Sequence, residues 1–217
     1  MSRRPRAAVT ALCLLAATLL FGGTAHAAER EPVILVHGFL GSSEDMATMA
    51  SALEDAGHPA YTIDLPGQEN VANAEAIGEL VERVRDDHGG AKVSLVGHSM
   101  GGLSTRYYLA HLGGTESVLS YVSMGTAQHG YAPACLLPPE SGGQMCPDSA
   151  FLRELNSGDE TPGDVRYTTL FSSLDESRAD RLDGAWCVAE FPGVDHAEEP
   201  KSPVFIEAVQ RVLDGRC

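Results

Sequence analysis

The chain has 217 residues, with 30 acidic against 15 basic side chains and a formal charge of −15. A surface this negative repels phosphate backbones and anionic membranes, which excludes nucleic acid as a partner and otherwise keeps the chain in solution.

In chain order the first feature is a leader. Ser2-Arg3-Arg4-Pro5-Arg6 is a positive region, Ala7 to Gly23 a short apolar run, and Ala25-His26-Ala27 a small-residue cleavage site. These features read as a secretory signal peptide over residues 1–27 rather than a membrane span. Cys13 lacks the small residue that a lipoprotein cleavage site needs just before its cysteine, so no lipid anchor and no stable membrane attachment is expected. Cleavage after Ala27 removes three arginines and no acid, leaving 190 residues with 12 basic and 30 acidic side chains, a formal charge of −18. Residues 28–217 suffice for a single domain with its own core, expected to be secreted, extracellular and monomeric.

Short apolar runs then alternate with helical periodicity. "PVILVHG" is a continuous β-branched run ending in glycine, as a strand buried on both faces would be. Ser42 or Ser43 can cap a helix that sets Met46, Met49, Ala50 and Leu53 on one face and stops at Gly57. "YTIDL" is a second strand, and Ile77, Leu80, Val81 and Val84 mark a second amphipathic helix ending near Gly89-Gly90. "KVSLVGHSMGG" reads as strand, turn and helix, with Leu103, Tyr107 and Leu109 facing inward and Tyr107 and Tyr108 as packing residues. "SVLSYVSMG", "VRYTTLF" and "AWCVAEF" are further strands, and "SPVFIEAVQRVLDG" a closing helix. Such alternation implies α/β architecture: a mostly parallel sheet with helices on both faces. Residues 126–148, rich in Pro, Gly and Cys, carry no period, and a loop that long is functional or stapled.

Four cysteines remain after cleavage, Cys135, Cys146, Cys187 and Cys217. An even count in an exported chain argues for two disulfides, and four cysteines permit three pairings. Cys135 with Cys146 closes a local loop, which leaves Cys187 to tie Cys217 to the body. No C-x-x-C pair or histidine spacing supports zinc instead, so no metal is expected.

The chemistry centres on "LVGHSMGG". A serine between glycines, after a strand and before a helix, fits a nucleophile on a sharp turn, Ser99; the bland alternative is an ordinary glycine-rich connection. In an open α/β sheet the partners of such a serine follow strand ends, in the order serine, acid, histidine. His111 sits on the helix after the turn and His129 in the long loop, whereas His196 follows the last strand and is chosen as general base. Asp175 follows "VRYTTLFSSL" and is chosen as the acid; Glu176 is second, Asp180 and Asp183 are held in reserve, and Asp159 and Asp164 precede the strand. Backbone N–H groups of Met100 and Phe39 are the oxyanion donors expected. His37 reads as structural and His98 as the variable position of the turn.

"VILVHGFLGS", "VSLVGHSMGGLSTRYYL", "SMGTAQHG", "SAFLRELNSGDETPGDVRYTTLFSSLDE" and "FPGVDHAEE" together resemble the small secreted bacterial triacylglycerol lipases of the lipase class 2 family. The resemblance implies a compact α/β-hydrolase fold with little or no lid, a triad of Ser99, Asp175 and His196, oxyanion donors at Phe39 and Met100, an ester of a fatty acid as substrate and no cofactor. Short-chain esterase and acyltransferase activity on the same triad are the alternatives, and a fold retained for binding alone is a remote one. Ala127 stands where the family tends to have proline, Asp195 where it tends to have glycine, and Ser177 and Arg178 where it tends to be apolar. Asp195, Glu198 and Glu199 around His196 favour its charged form, so activity is expected to rise toward mildly alkaline pH unless solvent screens them. Phe39, Leu40, Leu136 and Leu137 are candidates to line an acyl groove.

Overall fold

Val33–Val36 (β1) and Val93–His98 (β3) are buried along their whole lengths, as continuous apolar runs in the middle of a parallel sheet must be. A computed structural model describes residues 30–174 and 180–217; the expected leader and Asp175, Glu176, Ser177 and Arg178 lie outside the described residues. The remaining strands are Ala60–Ile63 (β2), Val118–Met124 (β4), Arg166–Ser172 (β5) and Cys187–Phe191 (β6). All pair in parallel, in the order β2-β1-β3-β4-β5-β6. After β2 the chain crosses back over β1 to start β3, so the strand order reverses between β1 and β3. Open sheets bind ligands at that reversal, beyond the carboxyl ends of the strands.

Strand periodicity divides the core in two. Ile34, Val36, Val93, Leu95, Tyr121 and Tyr167 face one side, and Val33, Leu35, Val96, Val122, Met124 and Leu170 the other. The first side is covered by Asn70–Asp87 (α2), Met100–His111 (α3) and Ala150–Leu155 (α4); the second by Ala47–Asp55 (α1) and Pro203–Leu213 (α5). Met46, Met49 and Leu53 are buried as their spacing predicts, although a 3-10 turn at Ser43–Met46 precedes α1. α4 has no counterpart among the expected elements; at six residues it is too short to show a helical period.

Residues 126–148 form 3-10 turns at Ala132–Leu136, Pro139–Ser141 and Gly143–Met145. Cys135 is bonded to Cys146 within them, and Cys187 to Cys217, the pairing set out above. Gln144 Oε1 accepts from the backbone N–H of Asn70, docking the stapled loop on the start of α2. Among the described residues no helix is long and apolar enough to cross a membrane.

Candidate active site

Ser99 is the residue between β3 and α3, and its backbone stands at φ 54, ψ −127. A non-glycine residue pays of order 1–3 kcal/mol for such a conformation and keeps it only where its surroundings impose it. The glycines either side supply the imposition. A Cβ at position 97 would lie 2.6 Å from Gly102 Cα, and one at 101 only 2.3 Å from the carbonyl oxygen of His37. Both contacts are with backbone, so helix, strand and loop meet at distances that only glycine allows, and the serine is driven outward at the tip.

The loop after β1 is fixed by His37, which is buried. Its Nε2 accepts from the N–H of Leu65 at 3.1 Å, so its proton is on Nδ1, which donates to Gly38 O at 2.9 Å. That is the structural role expected of it. Leu40 has a left-handed φ of 54, and its N–H donates to Gln68 Oε1 at 3.0 Å. The loop therefore turns tightly against Ser99: a Cβ on Gly38 would lie 2.8 Å from that of Ser99. Phe39 follows in this loop, and Met100 begins α3, where a first-turn N–H has no acceptor within the helix and the helix dipole is positive.

A cavity of about 550 Å³ opens at this point, lined by Phe39, Leu40, Ser99, Met100, Leu174 and His196 among others. The structure thus brings the chosen nucleophile, base and both oxyanion residues to one cavity at the strand ends. Leu40 and Leu174 are 75% and 59% exposed, so the mouth is apolar and open. Leu136 and Leu137 do not line it. Leu136 points to solvent, 89% exposed, and Leu137 borders a smaller depression beside the Cys135–Cys146 bond. Leu103, Tyr131, Met145 and Pro200 take the places expected of that pair.

His196 opens a 3-10 turn, His196–Lys201, five residues beyond β6. His98 is more than the variable position of the elbow: its Nε2 donates to the backbone oxygen of His196 at 3.0 Å, and the two rings lie 4.6 Å apart. Glu199 differs from its acidic neighbours. Asp195 and Glu198 are exposed, but Glu199 is wholly buried with Oε2 3.4 Å from His196 Nδ1. Neither its burial nor the contact of His98 has a local sequence signature, because both depend on how β3, β5 and the turn converge.

The other histidine and acid candidates go elsewhere. His111 is exposed at the end of α3 with its ring against Tyr107. His129 lies between two acids: Nδ1 contacts Asp180, Nε2 lies 2.6 Å from Glu160, and its N–H donates to Asp180. Burial opposes the charged ring, but the hydrogen bonds and charges of Asp180 and Glu160 outweigh it and raise the His129 pKa. Glu160 is held below its ordinary value: burial pushes it up, and the N–H of Asp183 together with His129 more than reverses this. Asp180, a reserve acid, is thereby engaged away from His196. Asp159 caps the N–H of Thr161, and Asp164 is exposed.

Residues 31–150 match the family model for the alpha/beta hydrolase fold, and the chain belongs to that family. Within it, the chain is 32% identical over 136 residues to a triacylglycerol lipase of Burkholderia plantarii, covering 58% of this chain and 37% of that one. It is 34% identical over 115 residues to a triacylglycerol lipase of Pseudarthrobacter phenanthrenivorans, covering 48% and 35% respectively. The chain thus spans about a third of the length of these relatives. Its fold is similar to that of the mature Bacillus licheniformis lipase BlEst2, with a TM-score of 0.72 and 19% identity over 86% of this chain and 93% of that one.

Proposed function

We propose that the chain is a serine hydrolase that cleaves carboxyl esters of fatty acids through an acyl-enzyme on Ser99. The observation that carries this reading is the strained backbone of Ser99 at the tip of the elbow, in one cavity with His196 and the loop of Phe39. Ser99 Oγ attacks the ester carbonyl while His196 Nε2 accepts its proton, and Asp175 holds the ring and stabilises its charge. The N–H groups of Phe39 and Met100 receive the developing oxyanion, each worth on the order of 3 kcal/mol to the transition state. Collapse releases the alcohol, and water activated by the same histidine frees the acid. Base, nucleophile and anion stabilisation all come from the chain, so this chemistry calls on no metal or organic cofactor.

The apolar mouth supports an acyl chain as the group bound, and the relatives named above support a lipid or related ester as substrate. We place the protein outside the cell, as a monomer, after removal of residues 1–27; the cleavage-site pattern and the two disulfides support export.

The test is hydrolysis of p-nitrophenyl esters from acetate to palmitate by the mature protein and by Ser99→Ala. Turnover abolished in the variant and strongest on long chains is the expected result. Activity confined to short chains would make it an esterase, and an ester product formed with added alcohol would make it an acyltransferase. Equal turnover by both proteins would end the reading.

A further inference from the structure

We propose that Glu199 is a second carboxylate serving His196, a positioning residue whose charge meets the imidazolium formed during the reaction. The proposal rests on His196 being the general base and adds a group that the triad does not contain. Glu199 is 0% exposed. Its Oε1 accepts from the N–H of Ser172 at the end of β5, at 3.2 Å. Its Oε2 is buried without a hydrogen bond among the described residues, yet lies 3.4 Å from His196 Nδ1 and 3.5 Å from His98 Nε2. Those distances are too long for good hydrogen bonds and short enough for a strong interaction between charges.

A buried carboxylate with one oxygen unsatisfied is costly unless an opposite charge comes to meet it. Such a charge appears when Ser99 passes its proton to His196. The attraction between Glu199 and the ring is then far greater than in the resting enzyme, so it lowers the barrier rather than tightening substrate binding. No proton moves to Glu199; the proton from Ser99 stays on the ring until the alcohol leaves. His98 completes the arrangement by holding the carbonyl of His196 and covering its ring. Among the described residues, the ionisable groups around the ring are Glu199, Asp195 and Glu198 on its own turn, His98 from β3 and Asp45 across the cavity; Asp175 is the acid that the proposed function assigns to it.

Glu199→Gln separates charge from scaffolding, because an amide oxygen can still accept from Ser172. The expected result is a kcat lower by roughly tenfold with KM unchanged. The acid limb of kcat/KM should move to lower pH by about one unit, since the ring loses a neighbour that favours its charged form. Asp175→Asn should keep a residual activity that disappears when Glu199→Gln is added. An unmoved acid limb with unchanged kcat, or a double variant equal to Asp175→Asn alone, overturns the role of Glu199 while leaving the Ser99 reading intact. If Glu199→Gln does not fold, imidazole NMR of His196 in Asp175→Asn decides: a midpoint above about 6.5 supports a second carboxylate, and one at or below it overturns the proposal. His196→Ala as active as the parent would overturn both readings together.

Discussion

His129 and His196 both sit among acids, and of the two only His196 lines the cavity that holds Ser99. His129 has carboxylates on both ring nitrogens and a third bond from its own backbone, so its hydrogen-bonding capacity is used up in joining the loop after β4 to residues 160 and 180. His196 lies at the wall of a cavity with its Nδ1 toward a buried acid at a distance that leaves room to tighten. An imidazole saturated by acids is a fastener; one that faces a cavity is placed to exchange a proton with what the cavity holds. The difference lies in geometry, since both side chains are about half exposed, 47% and 41%.

The largest effect should come from alanine at each position. His196→Ala is expected to lower kcat by roughly a thousandfold or more without a matching loss of stability. His129→Ala should do the reverse, and the contrast breaks down if turnover falls equally in both.

Next in size is Arg106, fully buried on α3 with its guanidinium pushed below its ordinary pKa by burial. It donates to Gln128 Oε1 at 3.2 Å, to Leu155 O at 3.1 Å and to Asn156, so it binds the loop that carries His129 to the end of α4. Arg106→Met should cost roughly 3 kcal/mol, since it strands several buried acceptors. Thermal melting should show this as a loss of roughly 6–12 °C.

A smaller effect is the pH dependence of the His129 contact. The His129 pKa is raised on folding, so its contribution is complete below about 6.5 and fades as pH rises through the folded value. The Glu160 pKa is lowered, so its contribution is complete above 4.5 and fades as pH falls through the folded value. The melting difference between the parent and His129→Ala should therefore peak between pH 4.5 and 6.5. Exposure and screening limit it to roughly 2–4 °C. The smallest effect is expected at the mouth, where Leu40→Ser or Leu174→Ser should raise KM for a palmitate ester roughly three- to fivefold and leave acetate unchanged. Equal changes on both esters would mean that these leucines do not contact the acyl chain.

What could be read in the sequence was what neighbouring residues decide. "GHSMG" is contiguous, so the steric demand for glycine at 97 and 101 is visible in the string, and the strand runs are visible because burial on two faces excludes polar residues. The apolar stripes of α1 and α2 are visible for the same reason at a different period. Glu199 was legible only as one of three acids near His196; its burial is decided by β5 and by a turn that no local pattern announces. His98 shows the same limit, since its partner is 98 positions away. Leu136 and Leu137 misled because apolar character says nothing of which side of a stapled loop a residue occupies. Asp175 remains a choice from chain order.

The bond from Cys187 to Cys217 makes a covalent ring whose two ends are 30 positions apart. β6, His196, Glu199 and α5 all lie on that ring, whereas Ser99 and the loop of Phe39 lie on the open part of the chain. Closing a ring of this size removes entropy from the unfolded chain worth roughly 3–4 kcal/mol. The two halves of the site therefore have different keepers. Ser99 is held by the centre of the parallel sheet, and the segment of His196 by a cross-link that survives only in an oxidising compartment. In a reducing one the turn at Ser99 would keep its shape while the segment that carries His196 lost its tether.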